Sequence, residues 1–476
     1  MSAPTQSSDL TGPWAPYAPT EEAPWDPGRV VHLHRRAGFA ATWGEVQREL
    51  HDGPGPSIDR LLAGKARSQG VPEDFEATAA RLAETGSYDV LRTKAWWVYR
   101  MYFGPDPLTE RLVLMWHNHF ATSNAKVNDL GAMRRQNQLF RDLARAPFGR
   151  LLRAAVRDPA LLYWLDAQTN RKGHANENLA RELMELFTLG IGHYTEADVK
   201  EAARALTGWA VPEKADDRLF LAPGIGDGKF SGDPAQHDDG EKTILGRKGR
   251  WKGDDLVRML LEQPATARRL AARLCELFMG EAAVDAAGIE ALAAGLREHD
   301  LDIGWAVETV LRSRAFFAEN NLGNRVLGPV EFVVSPCRAL ELFEPPPSTL
   351  LLAEWCARLG QDLFYPPNVG GWSGGRAWIS TRAMIGRANY AAALVSGGLN
   401  RGGGALDALG LAERHGRAND LESVLACYGE LLFGVPPAKP WRGRLLAALG
   451  PKATVGPDTA RRALALLLAS PEAQLA

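Results

Sequence analysis

Residues 176–209 read NENLARELMELFTLGIGHYTEADVKEAARALTGW, and this stretch carries the densest helix signals in the chain. Asn176 is a favoured N-cap residue for a first helix. Gly190 and Gly192 are typical of the positions just after a helix C-terminus. Thr195 then has the capping-box spacing of a second helix start. The stretch therefore predicts two short helices joined by a glycine turn, and it favours a mainly α protein.

The first of these helices has an apolar side and a polar side, at about 100° of rotation per residue. The polar side carries Asn178, Arg181, Glu182 and Glu185, and the loop that follows carries His193. Two carboxylates at positions i and i+3 of a helix can meet the same ligand, metal ion or proton. These residues are therefore candidates for catalysis, with a solvated helix face and an Arg–Glu pair as the structural alternative.

The composition excludes several classes of protein. The 476 residues are 45% apolar and 24% charged, which is ordinary for a soluble globular protein. Lys plus Arg (55) nearly balance Asp plus Glu (57), so we expect no nucleic-acid partner. No apolar run approaches the length of a membrane span, and the chain as given shows no signal peptide. The four cysteines have no C-x-x-C spacing, so we expect buried, reduced thiols and a cytoplasmic protein.

Changes in composition and in helix periodicity along the chain predict the domain organisation. Residues 1–28 are rich in proline and polar residues and predict a disordered or draped tail. Residues 29–396 predict a large multi-helical core, interrupted by an irregular insertion at 211–253 in which helix periodicity disappears. Within the insertion, a short β-prone run followed by a Gly-Arg-Lys-Gly turn predicts a small β-hairpin. Residues 397–410 are glycine-rich and predict a linker, and residues 411–476 predict a helical C-terminal unit.

A second informative stretch is LTERLVLMWHNHFATS at residues 108–123, which is apolar on nearly every side and predicts a buried helix. His117 and His119 are separated by about 200° on a regular helix, so they cannot both face one metal ion. That restriction is relaxed if the helix ends near Asn118. A buried histidine is often a satisfied core residue, and a functional role for this pair is the alternative.

Three other segments supply candidate side chains. In the insertion they are His237 and Asp238, with a solvated loop as the alternative. Arg36 lies just before a turn at Gly38 and is expected to bind an internal carboxylate or an anionic ligand. Residues 364–380 predict a stiff loop that forms either a pocket wall or a lid over the core. The candidate substrate contacts are accordingly Arg36, Asn176, Asn178, Trp372 and Arg376.

Five segments together resemble a known family. They are HLHRRAGFAAT (32–42), WHNHFATS (116–123), residues 176–209, HDDGEKTILG (237–246) and PPNVGGWSGGRAWI (366–379). Over residues 30–395 the chain resembles the bacterial domain-of-unknown-function family numbered 1800. The resemblance implies no assigned activity, but it implies a sulfatase-like partner protein and, for many members, export. The family's motif positions fall here on His117, His119, Asn176, Glu177, Asn178, Arg181, Glu182, Glu185, His193 and His237.

The first functional hypothesis is a metal-dependent hydrolase. Histidine and carboxylate ligands with open positions suit zinc, iron or manganese, and such a metal activates water for hydrolysis. The expected metal ligands are His117, His119, His237 and Asp238. The expected catalytic residues are Glu182, Glu185, His193 and Arg181. The substrate is not identified, because the sequence holds no phosphate-binding loop, dinucleotide fingerprint or nucleophile elbow.

Two alternatives stay open. A metal-free glycoside hydrolase would use Glu182 and Glu185 as an acid–base pair, with Trp372 and Trp378 stacking on sugar rings. A non-catalytic helical scaffold or partner-binding protein would use the same polar residues as a buried network that fixes helix packing. Convergence of these side chains on an open cavity favours an enzyme, and dry packing with every polar atom paired favours the scaffold.

Overall fold

A computed structural model of the chain describes residues 12–209, 232–281, 283–400 and 404–476. These residues form 23 α-helices, one π-helix and a single two-stranded antiparallel sheet. The predicted mainly α fold class is therefore confirmed. Among the described residues, no helix has both the length and the apolar character needed to cross a bilayer.

Twelve of the α-helices lie before the insertion. They are α1 Pro27–Ala37, α2 Trp43–Asp52, α3 Pro54–Leu62, α4 Phe75–Thr85, α5 Val90–Phe103, α6 Pro107–His119, α7 Asn124–Val127, α8 Leu130–Asp142, α9 Phe148–Ala155, α10 Pro159–Trp164, α11 Asn178–Glu182 and α12 Glu196–Ala205. The π-helix, Leu183–Thr188, directly continues α11. The predicted capping box at Thr195 is confirmed at the start of α12, and a second capping box at Thr42 begins α2.

The remaining eleven α-helices follow the hairpin. They are α13 Gly253–Leu261, α14 Pro264–Met279, α15 Ala286–Glu298, α16 Ile303–Arg312, α17 Pro329–Ala339, α18 Thr349–Arg358, α19 Thr381–Val395, α20 Ala408–Arg414, α21 Leu421–Phe433, α22 Lys439–Leu449 and α23 Pro457–Ala469. Short 3-10 turns lie at Gly12–Trp14, Gly86–Tyr88, Ala167–Thr169, Pro234–Gln236, Glu319–Asn321, Gly375–Trp378 and Pro471–Gln474.

The predicted hairpin is present, but its turn lies two residues earlier than expected. Strands β1 Lys242–Ile244 and β2 Arg247–Gly249 pair antiparallel. Leu245 and Gly246 form the turn with φ angles of +49° and +75°, which is the backbone that a tight two-residue hairpin requires. Of the four predicted turn residues, Gly246 therefore lies in the turn, and residues 247–249 form β2. Residues 211–231 of the predicted insertion lie outside the described residues.

Helix α6 lies at the centre of the core, as its apolar sequence predicts. All of its residues are buried except Asn118, which is partly exposed. Buried aromatic side chains of α5, such as Trp97 and Tyr102, belong to the same core. Because α6 is enclosed on all sides, a polar group on it must find its partners inside the protein.

Both ends of the described chain pack on this core. Trp14 is buried and donates through Nε1 to the Gly288 carbonyl oxygen at 2.8 Å. Residues 474–476 pair through their backbone with residues 325–327. Helix α20 begins inside the predicted linker, and α23 packs against α19.

Candidate functional site

The polar residues of the central hairpin form a network between two helices. Arg181 donates to both carboxylate oxygens of Glu196 at 2.8 Å and to Glu177 at 3.0 Å. This joins α11 to α12. The helix begins at Asn178 and not directly after Asn176, and the Asn176 side-chain oxygen accepts from the Asn178 backbone N–H at 2.9 Å.

The two asparagines predicted to bind substrate also have internal partners. Asn176 donates through Nδ2 to Thr169 Oγ1 at 2.7 Å. Asn178 donates through Nδ2 to Asp166 Oδ2 at 3.3 Å. Their side chains therefore order the loop that precedes α11.

The structure brings the predicted glutamate pair together on the helical hairpin. The Tyr194 hydroxyl donates to Glu185. Glu182 is half-buried; burial and then the charge of Glu185 raise the pKa of its carboxyl. His193 is exposed on the loop. These two glutamates do not line any cavity that we identify among the described residues.

The predicted insertion residues are held by α12 and the loop after it. Arg204 donates from Nε to Asp238 at 2.8 Å, and its hydrogen bonds lower the pKa of Asp238 to about 2. The His237 Nδ1 atom lies 3.0 Å from the Thr207 carbonyl oxygen. Both side chains therefore fix the start of the hairpin to α12.

The two histidines of α6 face different surroundings, as their spacing predicts. His119 Nε2 lies 3.1 Å from the Phe187 carbonyl oxygen of the π-helix. His117 is enclosed by aromatic rings, among them Trp97 and Trp372. Burial lowers the pKa of both imidazoles, so both are neutral at pH 7.

The predicted metal ligands do not converge on one point. Within the residues that the structure describes, no group of three or more His, Cys, Asp or Glu side chains is placed to hold a metal ion. The physical reason is that α6 directs its histidines to different neighbours, while His237 and Asp238 are bound to the end of α12.

The sequence favoured an internal acid as the partner of Arg36. In the structure Arg36 is fully buried and binds mainly backbone oxygens. It donates to the carbonyl oxygens of Phe278 at 3.1 Å and Asn321 at 2.9 Å, to Asn324 Oδ1 at 2.8 Å, and to the backbone oxygen of Ala476. Its two terminal amino groups therefore join α1 to α14, to the loop at 321–324 and to the last residue of the chain.

A pocket of about 120 Å³ lies where two of the family-like segments, 116–123 and 366–379, meet, and we call it the Trp372 pocket. Its walls come from α6, the C-terminal end of α14, the start of α17 and the loop before α19. Its lining includes Arg111, Asn118, Arg273, Glu276, Glu281, Arg325, Glu331, Gln361, Trp372, Ser373, Gly374, Gly375 and Trp378. Of the predicted substrate contacts, Trp372 and Trp378 line it. The Arg376 side chain is exposed and lies outside the lining.

The inner end of the pocket is a buried ionic triad. Arg111 lies 2.8 Å from Glu331, and Arg325 also donates to Glu331, with one contact at 3.0 Å. Burial alone would raise the pKa of Glu331, but the charges of Arg111 and Arg325 lower it to about 2. The Gly328 backbone N–H donates a further bond at 2.9 Å. The triad is ionised and fixed, so it supplies a rigid polar base to the pocket.

One side of the pocket is a loop clamped to α6. The Trp372 backbone N–H donates to Asn118 Oδ1 at 2.7 Å, and Asn118 Nδ2 donates back to the Trp372 carbonyl at 3.3 Å. Gly371 has a φ of +80°, and a Cβ atom added there would overlap the Asn118 side chain. Glycine is therefore required for this close approach.

Two carboxylates of the pocket lining, those of Glu276 and Glu281, also approach this loop. An added Cβ at Gly374 would lie 3.2 Å from Glu276 Oε1, and one at Gly375 would overlap Glu281 Oε1. The Glu281 carboxylate accepts from the Arg376 backbone N–H at 3.4 Å. Two acids therefore reach neighbouring residues of one glycine-rich loop.

Sequence reasoning missed most of the polar lining of this pocket. Glu331 is the single charge in GPVEFVVSP, and Arg111 lies beside Glu110 in the otherwise largely apolar LTERLVLMW. A single charge on a helix that is otherwise buried needs a partner, and that signal points to this ion pair. The sequence holds no comparable signal for Glu276 or Glu281, which are exposed.

Comparison with known protein families identifies one that matches most of the chain. A family model described as Protein of unknown function (DUF1800) matches residues 32–475. Neither the curated proteins nor the solved structures gave a match to this chain.

Proposed function

The chain belongs to the DUF1800 family of proteins of unknown function, and from that premise we propose that it binds a carbohydrate-like ligand in the Trp372 pocket. The observation that carries the proposal is the pocket's lining. Indole rings, carboxylates and amide or guanidinium donors surround one cavity there. Residues from five parts of the chain supply them: 111–118, 273–281, 325–331, Gln361 and 372–378.

The lining chemistry suits a polyhydroxylated ring. Glu276 and Glu281 are acceptors, while Arg273 and Gln361 carry donors, and hydroxyl groups both donate and accept. The half-buried indole of Trp378 offers an apolar surface to the C–H face of such a ring. A purely apolar ligand would leave these polar groups unpaired, which is costly.

The size of the pocket restricts the ligand. Its volume of about 120 Å³ equals about four water molecules at about 30 Å³ each. Sites for drug-sized ligands begin at about 300 Å³. The pocket therefore fits one ring, or the end of a longer chain that continues into solvent.

Calorimetric titration with monosaccharides and short oligosaccharides tests this function. Calorimetry is preferable to fluorescence, because the chain has 14 tryptophans. We expect Trp378→Ala to weaken binding at least about tenfold, the equivalent of about 1.4 kcal/mol. Trp251→Ala is the matched control, since Trp251 is also partly buried but lies beside the hairpin. Absence of binding across the sugar panel, or equal effects of the two variants, would contradict the proposal.

Glycoside hydrolysis is the second candidate, now with Glu276 and Glu281 in place of Glu182 and Glu185. It is favoured by the two carboxylates that approach adjacent glycines of one loop. Glycosidases need a carboxyl pair about 5 to 9.5 Å apart that flanks the bond to be cleaved.

Aryl glycosides test this second candidate. We expect Glu276→Gln and Glu281→Gln each to reduce turnover at least about 100-fold, as loss of a general acid or base does. Glu290→Gln, at an exposed ion pair on α15, is the control and should retain activity. Undiminished turnover in both pocket variants would exclude this mechanism.

Metal-dependent hydrolysis and a sulfatase-like partner stay predictions from the sequence. Metal analysis of the purified protein tests the first. Co-purification with a sulfatase-like protein tests the second.

A further inference from the structure

His117 is a buried polar side chain without a partner. Its side chain is 0% exposed, and among the described residues neither ring nitrogen has a hydrogen-bond partner. The rings of Trp97, Phe140, Phe364 and Trp372 surround it, with centroids 5.3 to 6.5 Å away. A buried polar group left unpaired is destabilising, and a phenylalanine would fill a similar space without that cost.

One of the four rings that surround His117, that of Trp372, also lines the Trp372 pocket. The Trp372 ring lies 5.6 Å from the His117 ring and is 5% exposed. Glycines lie on both sides of Trp372, and its backbone is clamped by Asn118, which follows His117 on α6. The indole therefore separates an unsatisfied imidazole from the pocket.

We propose that His117 is a further ligand-binding residue of the Trp372 pocket, covered by the Trp372 indole until the ligand displaces it. This inference rests on the proposed function. A neutral imidazole has one donor and one acceptor, which are the two bonds that a ligand hydroxyl can make. Binding then gives His117 the hydrogen bonds that it lacks in the covered state.

His119 provides an internal comparison. It lies on the same helix and is 3% exposed, but its Nε2 atom is paired with the Phe187 carbonyl oxygen. The rings that contact it, Trp116, Phe120, Phe148 and Phe187, do not line the pocket. Movement of Trp372 should therefore expose His117 without exposing His119.

Acylation of the full chain by diethyl pyrocarbonate, which attacks neutral imidazole, tests this inference. Mass-spectrometric fragmentation then assigns the label to each histidine. We expect His117 to react at least about tenfold faster than His119, since local opening needs less free energy than opening of the helix. Trp372→Ala should increase this ratio further. Equal rates for the two histidines in the wild type, or an unchanged ratio in the variant, would overturn the inference.

The variant His117→Phe gives an independent measurement. We expect its Tm to equal or exceed that of the wild type, while its sugar affinity falls. A lower Tm would mean that His117 has a structural partner, and would overturn the inference. Labelling needs no ligand, so its outcome is independent of the titrations. Fast labelling without sugar binding counts against the proposed function, whereas sugar binding with slow labelling counts against the role of His117 alone.

Discussion

At the scale of single residues, burial decides the state of several polar groups. Asp158 is 5% exposed at the N-terminus of α10, where it accepts from the Leu161 N–H at 3.1 Å and from Gln136 Nε2 at 2.7 Å. Burial nevertheless raises the pKa of its carboxyl to about 6. The two hydrogen bonds therefore stabilise the charged carboxylate less than the hydration that it loses on burial.

We predict a pH-dependent effect of Asp158→Asn. The folded pKa of about 6 lies above the ordinary value of 3.8, so the folded state binds the proton more tightly. The free energy of unfolding therefore falls by about 2 to 3 kcal/mol as pH rises from about 4 to above 6. Asparagine keeps the cap without the charge. In denaturant titrations the variant should match the wild type near pH 4 and exceed it at pH 8.

Asp420→Asn is the control for this prediction. Asp420 caps the exposed start of α21, and the Ser423 N–H lowers the pKa of its carboxyl. Its contribution to stability is present at neutral pH and lost in acid, so its substitution should have the opposite pH dependence. A difference between Asp158→Asn and wild type that is the same at both pH values would contradict the assigned pKa.

At the scale of elements, the π-helix Leu183–Thr188 is the main departure from a regular helical hairpin. The Leu189 N–H bonds to the Met184 carbonyl at 2.8 Å, five residues back. The carbonyls of Leu186 and Phe187 bond instead to Arg269 Nε at 2.8 Å and His119 Nε2 at 3.1 Å. Neighbouring helices thus supply hydrogen bonds to carbonyl oxygens at the end of this segment.

We predict that Thr188→Val weakens this segment. The Thr188 hydroxyl donates to the Leu183 carbonyl at 2.6 Å and is fully buried. Loss of that bond should lower the free energy of unfolding by about 1 kcal/mol, measured in urea. Thr309→Val is the control, because Thr309 is buried in α16 and its hydroxyl makes no such bond among the described residues. Equal effects of the two substitutions would show that the hydroxyl bond does not stabilise the π-helix.

At the scale of the whole molecule, buried arginines join elements that are distant in the chain. Arg111 on α6 pairs with Glu331 on α17, and its Nε donates to the Arg36 carbonyl of α1 at 3.3 Å. Arg325, which shares Glu331, also pairs through its backbone with Ala476. The single carboxylate of Glu331 therefore compensates two buried cations that lie where the core meets the last residues of the chain.

We predict that Glu331→Gln is strongly destabilising. Removing this charge leaves Arg111 and Arg325 buried without a counter-charge, which should cost about 3 to 5 kcal/mol in denaturant unfolding. Glu354→Gln removes a carboxylate from a surface i,i+4 pair with Arg358 on α18 and should cost at most about 0.5 kcal/mol. A cost for Glu331→Gln as small as that of the surface control would contradict the role of the triad.

The helices could be predicted well because their signals are local. The buried helix predicted within residues 108–123 corresponds to α6, and the two helices predicted within residues 176–209 correspond to α11, continued by the π-helix, and to α12. Caps, glycines and apolar periodicity act within one or two turns, so the sequence alone reveals them. The same holds for the four buried cysteines, which lie in apolar helical sequence.

The candidate site could be predicted only in part. The sequence indicated the segments around Asn118 and Trp372, because histidines, glycines and tryptophans are conspicuous there. It did not indicate that they touch, or that Glu276, Glu281 and the triad of Glu331 complete the pocket. Those contacts join residues up to 254 positions apart, as between Asn118 and Trp372. Local chemistry thus determined the helices, whereas only tertiary packing decided which polar groups share a pocket, since that depends on how separate helices approach one another.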